Sequence, residues 1–184
     1  MRQRMKLVPL ARGRILEVGI GSGLNLGFYD PDHVMKVWGL DPSEEMVAMA
    51  SGAAGEAPFE VEFILAGGEE IPLASGSVDT VMMTYTLCTI PDGMAALREM
   101  ARVLAPGGRL LFCEHGLAPD PGVRRWQRWM NPIWKRLGGG CNLDRDIPAL
   151  LGEAGFEVAR LETMYIPGWR PASFNYWGAA VPRR

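Results

Sequence analysis

The sequence predicts an α/β fold: a seven-stranded, mostly parallel sheet with helices on both faces and a last strand that runs antiparallel. Three observations predict it. Short apolar runs alternate with helix-period segments and turn residues, the pattern of successive βαβ units. Gly19, Gly21 and Gly23 crowd together directly after the first apolar run, where an open α/β sheet binds its ligand. Two strand-like runs close the chain on either side of IPGWRPA, where a hairpin-like return is expected.

Each element follows in order. RILEVG (14–19) reads as the first strand and LNLGFY (24–29) as a short helix ended by Pro31. VMKVWGLD (34–41) is the second strand; Ser43 then caps a helix with Glu44 and Glu45 in its favourable first turn. VEFILA (61–66) and VDTVMMTY (78–85) are the third and fourth strands. Asp92 caps a helix carrying Met94, Leu97, Met100, Ala101 and Leu104 at helical spacing. Pro106-Gly107-Gly108 turns the chain into RLLFCEH (109–115), the fifth strand. A helix at about 145–154, with Pro148 in its first turn and Gly155 past its end, precedes the closing strands FEVARLETMYI (156–166) and SFNYWGAAV (173–181).

Bulk properties bound the function. At 184 residues, 48% apolar and 22% charged, the chain reads as one domain, 1–184, with residues 116–143 as an aromatic and basic insertion. A net charge of −2 gives no basis for a nucleic-acid partner. No apolar run approaches the ~20 residues that span a bilayer, and MRQRMKLVPLARG has no signal-peptide core. Cys88, Cys113 and Cys141 lie far apart in sequence and, with two histidines, match no zinc spacing, so no metal is expected. A reduced, cytoplasmic protein is the expectation.

The glycine loop narrows the ligand. A dinucleotide fingerprint needs glycine or alanine at position 24, for close helix packing, and position 24 is leucine. The spacing is instead G-x-G-x-G entered by an acid, Glu17, which suits a ligand with a positive end rather than a pyrophosphate. Asp41 ends the second strand, where a carboxylate can accept two hydrogen bonds from ribose hydroxyls. The alternative is a plain turn flanked by two exposed strand-end carboxylates.

On these residues the chain resembles the class I S-adenosylmethionine-dependent methyltransferases, a Rossmann-like family. ILEVGIGSG resembles the first motif, GLDPSEEM the ribose motif, VDTVMMTYTLCTIPD the fourth-strand motif and VLAPGGRLLFCEHG the fifth. The broad branch is the ubiquinone/menaquinone-biosynthesis type. Through TLC, EH and GCNLDR, the run 79–145 is similar to the methyltransferase-like 7 alkyl thiol methyltransferases. The resemblance implies that Glu17, Gly19, Gly21 and Gly23 hold the methionine and ribose side of S-adenosylmethionine, with S-adenosylhomocysteine as product. It gives Asp41 to the ribose and places Pro42 or Met46 beside the adenine. AGGEEIPL departs from the family stretch G-D-A-E-x-L-P-F at Ala66 and Gly67, so adenine recognition falls to backbone near Gly68 and Glu69. Thr84 and Tyr85 end the fourth strand beside the expected methyl group. Only about 13 residues precede the first strand, where the family usually has covering helices, so the expectation is either a truncated N-terminus or an unusually open pocket.

Methyl transfer from a sulfonium mainly needs alignment and exclusion of water. A base matters only for a nucleophile of high pKa, and a thiol near ~8.5 needs little help. His115 or Glu114 could act as base or orienter, and strand alternation sends only one to the pocket; His115 is favoured for its pKa. Cys88 and Cys141 read as small core residues. Asn142 and Asp144 could return a polar group to the pocket or cap the next helix. GVRRWQRWMNPIWKRL places Trp126, Trp129, Met130, Ile133, Trp134 and Leu137 at helical spacing between basic groups, with Pro132 as a kink or a second start. That stripe could pack on the sheet, close over an apolar substrate, or rest peripherally on an anionic membrane. The expected activity is methylation of a small, rather apolar acceptor: a thiol first, then a phospholipid or quinone-like ring. The rivals are a non-catalytic cofactor-binding scaffold and an NAD-dependent oxidoreductase.

Overall fold

A computed structural model describes residues 2–183. Seven strands form one sheet: β1 (Gly13–Val18), β2 (Val34–Asp41), β3 (Glu60–Leu65), β4 (Val78–Thr84), β5 (Leu104–His115), β6 (Phe156–Tyr165) and β7 (Phe174–Pro182). Their order is β3-β2-β1-β4-β5-β7-β6. β1 to β5 pair in parallel, and β7 runs antiparallel to both β5 and β6. The chain moves outward from β1 to β3, then returns to start the other half at β4. That reversal leaves a crevice at the carboxyl ends of β1 and β4.

Alternation along the strands feeds two cores. Ile15, Met82 and Leu111 point to one face, where Leu7 and Val8 pack from the N-terminal helix α1 (Arg2–Leu7) and the 3-10 turn after it. Leu16, Met83 and Phe112 point to the other. There they meet Leu97 and Met100 of α3 (Gly93–Val103) and Leu151 of α5 (Ile147–Glu153). Burial of both faces explains the near-continuous apolar runs of the central strands. Two caps form where the sequence placed them: Ser43 Oγ accepts from the Met46 N–H at the start of α2 (Glu44–Gly55), and Asp92 caps α3 in the same way. The cap of α5 is Asp146 rather than Asn142 or Asp144, whose side chains are engaged by the Cys88 carbonyl and Asn131.

Two elements differ from expectation. LNLGFY forms turns and a three-residue 3-10 helix, Leu26–Phe28, because the Asn25 side chain is committed to Glu17 and Gly23 packs against Ala50. The aromatic segment is a single helix, α4 (Pro121–Leu137), continuous through Pro132. Its stripe does not pack on the sheet: Trp126, Trp129, Ile133 and Leu137 are exposed, Leu137 at 81%. The buried residue is Gln127, at 0%. It accepts from the Ala118 N–H (2.9 Å) and donates to the carbonyls of Gly116 (3.0 Å) and Pro171 (2.9 Å). One amide thus ties α4 to the chain leaving β5 and to the turn before β7. Among the described residues no helix is long and apolar enough to cross a membrane.

Candidate functional site

The crevice holds a cavity of about 540 Å³, within the usual range for small-molecule sites. One wall is the glycine loop. Gly19 and Ile20 donate their N–H groups to the Leu40 carbonyl (2.7 and 3.1 Å), which folds the loop over the end of β2. Gly19 sits at φ +71°, and a Cβ there would overlap the Thr86 side chain. Gly21 is also left-handed, at φ +54°, yet nothing lies within 4 Å of where its Cβ would stand. Its backbone therefore faces open cavity. Asp41 supports this wall: Oδ2 accepts from the Gly21 N–H (3.0 Å) and Oδ1 from the Ser43 N–H (3.0 Å).

Pro42 and Met46 line the cavity next to Asp41, and Gly68 and Glu69 face them from the turn after β3. Glu69 Oε1 also accepts from the Asp92 N–H (3.3 Å), so this turn is tied to the start of α3. Thr84 and Tyr85 close the far end. Tyr85 has φ 57°, the only positive φ outside glycine among the described residues. Strain of this kind persists only where the surroundings enforce it. Here Tyr85 donates its N–H to the Cys113 carbonyl (2.8 Å), and the Thr86 N–H is held by Glu114 Oε1 (2.7 Å). Burial pushes the Tyr85 phenol well above its ordinary value, so it stays protonated.

Four candidate site residues lie elsewhere. Glu17 does not line the cavity: it is 1% exposed, and its carboxylate accepts from Asn25 Nδ2 (2.8 Å) and Tyr29 Oη (2.8 Å). Burial raises its pKa to about 7 against the opposing pull of those hydrogen bonds and of Arg4. It braces the loop from beneath. Gly23 is a packing glycine, close to Ala50 of α2 and Leu26. His115 stands behind the cavity wall, its ring 5.8 Å from the Tyr85 ring. Glu114 does not face the cavity either; it is fully buried under the 86–88 turn, and burial lifts its pKa to about 7.

The structure adds a residue that sequence reasoning missed. Arg4 of α1 lines the cavity, with its guanidinium 5.8 Å from the Tyr85 ring centre, and donates to Thr84 Oγ1 (3.1 Å) and to Asn25 Oδ1. A lone arginine in a short N-terminal stretch carries no local signal; only packing of α1 on the sheet brings it here. The aromatic helix contributes no lining residue; Gly139, just past its end, does. The fold also gathers three side chains that sequence spacing kept apart. Cys88 Sγ lies 3.7 Å and Cys141 Sγ 3.5 Å from His115 Nε2. The Cys88 thiol, aided by His115, draws the Cys141 thiol below its ordinary pKa. Burial alone lowers His115, but Cys141 and Glu114 outweigh it and raise the imidazole.

Comparisons with known proteins agree with this geometry. A family described as "Methyltransferase domain" matches residues 16–112, just over half of the chain. Human thiol S-methyltransferase TMT1A is 35% identical over 179 residues, covering 94% of this chain and 72% of that protein. Rat thiol S-methyltransferase TMT1B is 36% identical over 173 residues, covering 91% and 70%. Among solved structures, the YcgJ protein of Bacillus subtilis superposes with a TM-score of 0.76 at 20% identity, over 95% of this chain and 93% of that one. A putative methyltransferase of Bacillus halodurans gives 0.77 at 18% identity, over 98% and 96%.

The class uses S-adenosylmethionine, and the residues present fit it. A left-handed glycine open to the cavity lets backbone approach the ligand, a strand-end carboxylate suits ribose hydroxyls, and the volume suits a nucleoside with an amino-acid arm. The glycine loop, Asp41 and the β4 end therefore lie together in one cavity of a seven-stranded sheet, and the chain belongs to the class I S-adenosylmethionine-dependent methyltransferases.

Proposed function

We propose that this methyltransferase transfers the methyl group to small, rather apolar thiols. The observation that carries the reading is Arg4, a cation at the Tyr85 end of the cavity. A nearby guanidinium favours the thiolate of an incoming thiol and disfavours a protonated amine. The relatives named thiol S-methyltransferases, matched over more than nine-tenths of this chain, support the same acceptor.

In this reading Asp41 accepts from the ribose hydroxyls, and the backbone of Gly19 and Gly21 borders the methionine arm. Pro42 and Met46 flank the adenine, whose edge meets backbone at Gly68 and Glu69. Bound S-adenosylmethionine supplies an already activated methyl group on a sulfonium. The chain's own work is alignment: Thr84 and Tyr85 wall the transfer end, and the protonated phenol offers a donor rather than a base. His115, behind the wall, does not touch the acceptor.

The test is release of S-adenosylhomocysteine across a panel of alkyl thiols, phenols, amines, quinols and phospholipids. Thiols should turn over best. Arg4→Gln should lower their kcat/KM roughly tenfold at neutral pH, and less at alkaline pH, where the free thiol is already ionised. Turnover confined to amines or phospholipids would remove the thiol assignment and leave the methyltransferase class intact. No turnover with any acceptor would favour a cofactor-binding scaffold.

A further inference from the structure

We infer that Cys88, His115 and Cys141 form a binding site for a single zinc-class metal ion. Their ligand atoms all lie within 4.8 Å of one another, and no other group of three His, Cys, Asp or Glu side chains among the described residues does so. Bond lengths of ~2.3 Å to sulfur and ~2.0–2.1 Å to nitrogen place the S and N ligands of a tetrahedral zinc about 3.6 Å apart. The two sulfurs stand 3.7 and 3.5 Å from His115 Nε2. Cys141 Sγ is also 3.8 Å from Nδ1, so a turn of the ring about its Cβ–Cγ bond aims Nε2 between the sulfurs.

The surrounding framework holds both thiols in place without relying on them. The Cys88 carbonyl accepts from the Asn142 N–H (2.8 Å) and from Asn142 Nδ2 (2.8 Å), which stitches the turn after β4 to the segment after α4. Arg145 fastens the same turn through the carbonyls of Leu87 and Ile90. Left-handed Gly139 and Gly140, at φ +60° and +90°, turn the chain so that Cys141 comes back beneath it.

Charge and surroundings favour a metal over two bare thiols. Leu143, Trp134 and Ala172 enclose the cysteines. Two thiolates, a neutral imidazole and a divalent ion sum to zero, the balance an apolar enclosure tolerates best. Two sulfurs and one imidazole nitrogen select zinc-class ions over magnesium or calcium. With three protein ligands the fourth position is left to water or another small ligand, as in open zinc sites.

The site has a structural consequence for the cavity. Cys88 lies three residues beyond Tyr85 and Cys141 two beyond Gly139, and both Tyr85 and Gly139 line the cavity. A metal bridging the cysteines would clamp two segments of the cavity wall together.

The experiment is cobalt(II) titration of the 184-residue chain, reduced and chelator-treated under anaerobic conditions, with zinc competition and metal analysis after dialysis. One equivalent should bind, with a thiolate-to-cobalt charge-transfer band and the visible bands of a tetrahedral site, all displaced by zinc. Cys88→Ser and Cys141→Ser should each weaken zinc binding at least about a hundredfold, while Cys113→Ser should leave it unchanged. Absence of the bands in the unmodified chain overturns the site, whatever the variants do. So does metal uptake that Cys141→Ser leaves intact in protein with native circular dichroism, or a stable Cys88–Cys141 disulfide that, once reduced, takes up no metal. All readouts are spectroscopic or analytical, so failure here is separable from failure of the thiol assignment.

Discussion

The glycine loop and the aromatic helix are the two parts of this molecule that the sequence marks most strongly, and they behave in opposite ways. In the loop, the pattern and the place of Gly19, Gly21 and Asp41 at the cavity coincide, although Gly23 packs against Ala50 and Glu17 lies beneath the loop. Gly19 and Gly21 occupy left-handed backbone, and Asp41 stands at the end of β2 beside them. In α4 the pattern leaves the role open. Trp126, Trp129, Ile133 and Leu137 face outward while Trp134 packs against Cys88 and Cys141, and the residue that docks the helix is Gln127, a polar side chain inside a run of arginines and tryptophans. Glycine spacing reports a backbone requirement that few other residues meet. Amphipathic spacing reports only that one face differs from the other, not which face is covered.

Four tests sharpen this contrast, the first two each pairing two substitutions. Gly19→Ala forces a Cβ into Thr86 at a positive φ and should destabilise the protein by about 3 kcal/mol or more in urea unfolding. Gly21→Ala, which meets no atom, should cost about 1 kcal/mol of stability yet weaken S-adenosylmethionine binding tenfold or more. Equal behaviour of the two variants would mean that the loop is only a turn.

Next, Gln127→Ala should cost about 2–4 kcal/mol, because it leaves three backbone groups without their partner in a buried place. Trp129→Ala, at 64% exposure, should change stability by no more than about 0.5 kcal/mol. A large Trp129 effect in the isolated chain would show that the stripe is covered in solution.

Asp41→Ala should weaken S-adenosylmethionine binding by about 1.5–3 kcal/mol in calorimetry, the usual worth of hydrogen bonds to a charged group. Unchanged affinity would falsify the ribose assignment.

The last test is a pH trend. Glu17 and Glu114 are each raised to about 7 by burial, so the folded protein holds their protons over a range in which the unfolded chain has lost them. Stability of the cofactor-free protein is therefore greatest below about 4.5 as far as these groups are concerned, and falls as pH rises towards about 7. A decline of about 3 kcal/mol per carboxyl over that interval should be visible in chemical denaturation, and smaller in Glu17→Gln. A flat profile would mean that water reaches these carboxylates.

What could be read in advance follows from range. The strands, the Ser43 and Asp92 caps, and the closing antiparallel pair are legible because each depends on a few consecutive residues. Glu17 shows where that legibility stops. Its position before the glycines is plain in sequence, but whether its carboxylate enters the cavity depends on Asn25 and Tyr29, which claim it from below. Arg4 had no legible signal at all, since its place depends on α1 lying across the sheet near β5 and β7.

The order of the elements, the glycine loop with Asp41 beside it and, through them, the class of cofactor are written in the chain's local pattern. These rest on backbone geometry and on apolar periodicity, both written within short windows. Long-range packing alone sets which charged groups reach the cavity, which face of α4 is covered, and that Cys88, His115 and Cys141 meet. The two cysteines are 27 and 26 positions from the histidine, and such distant groups converge only when separate loops are laced together by their own hydrogen bonds.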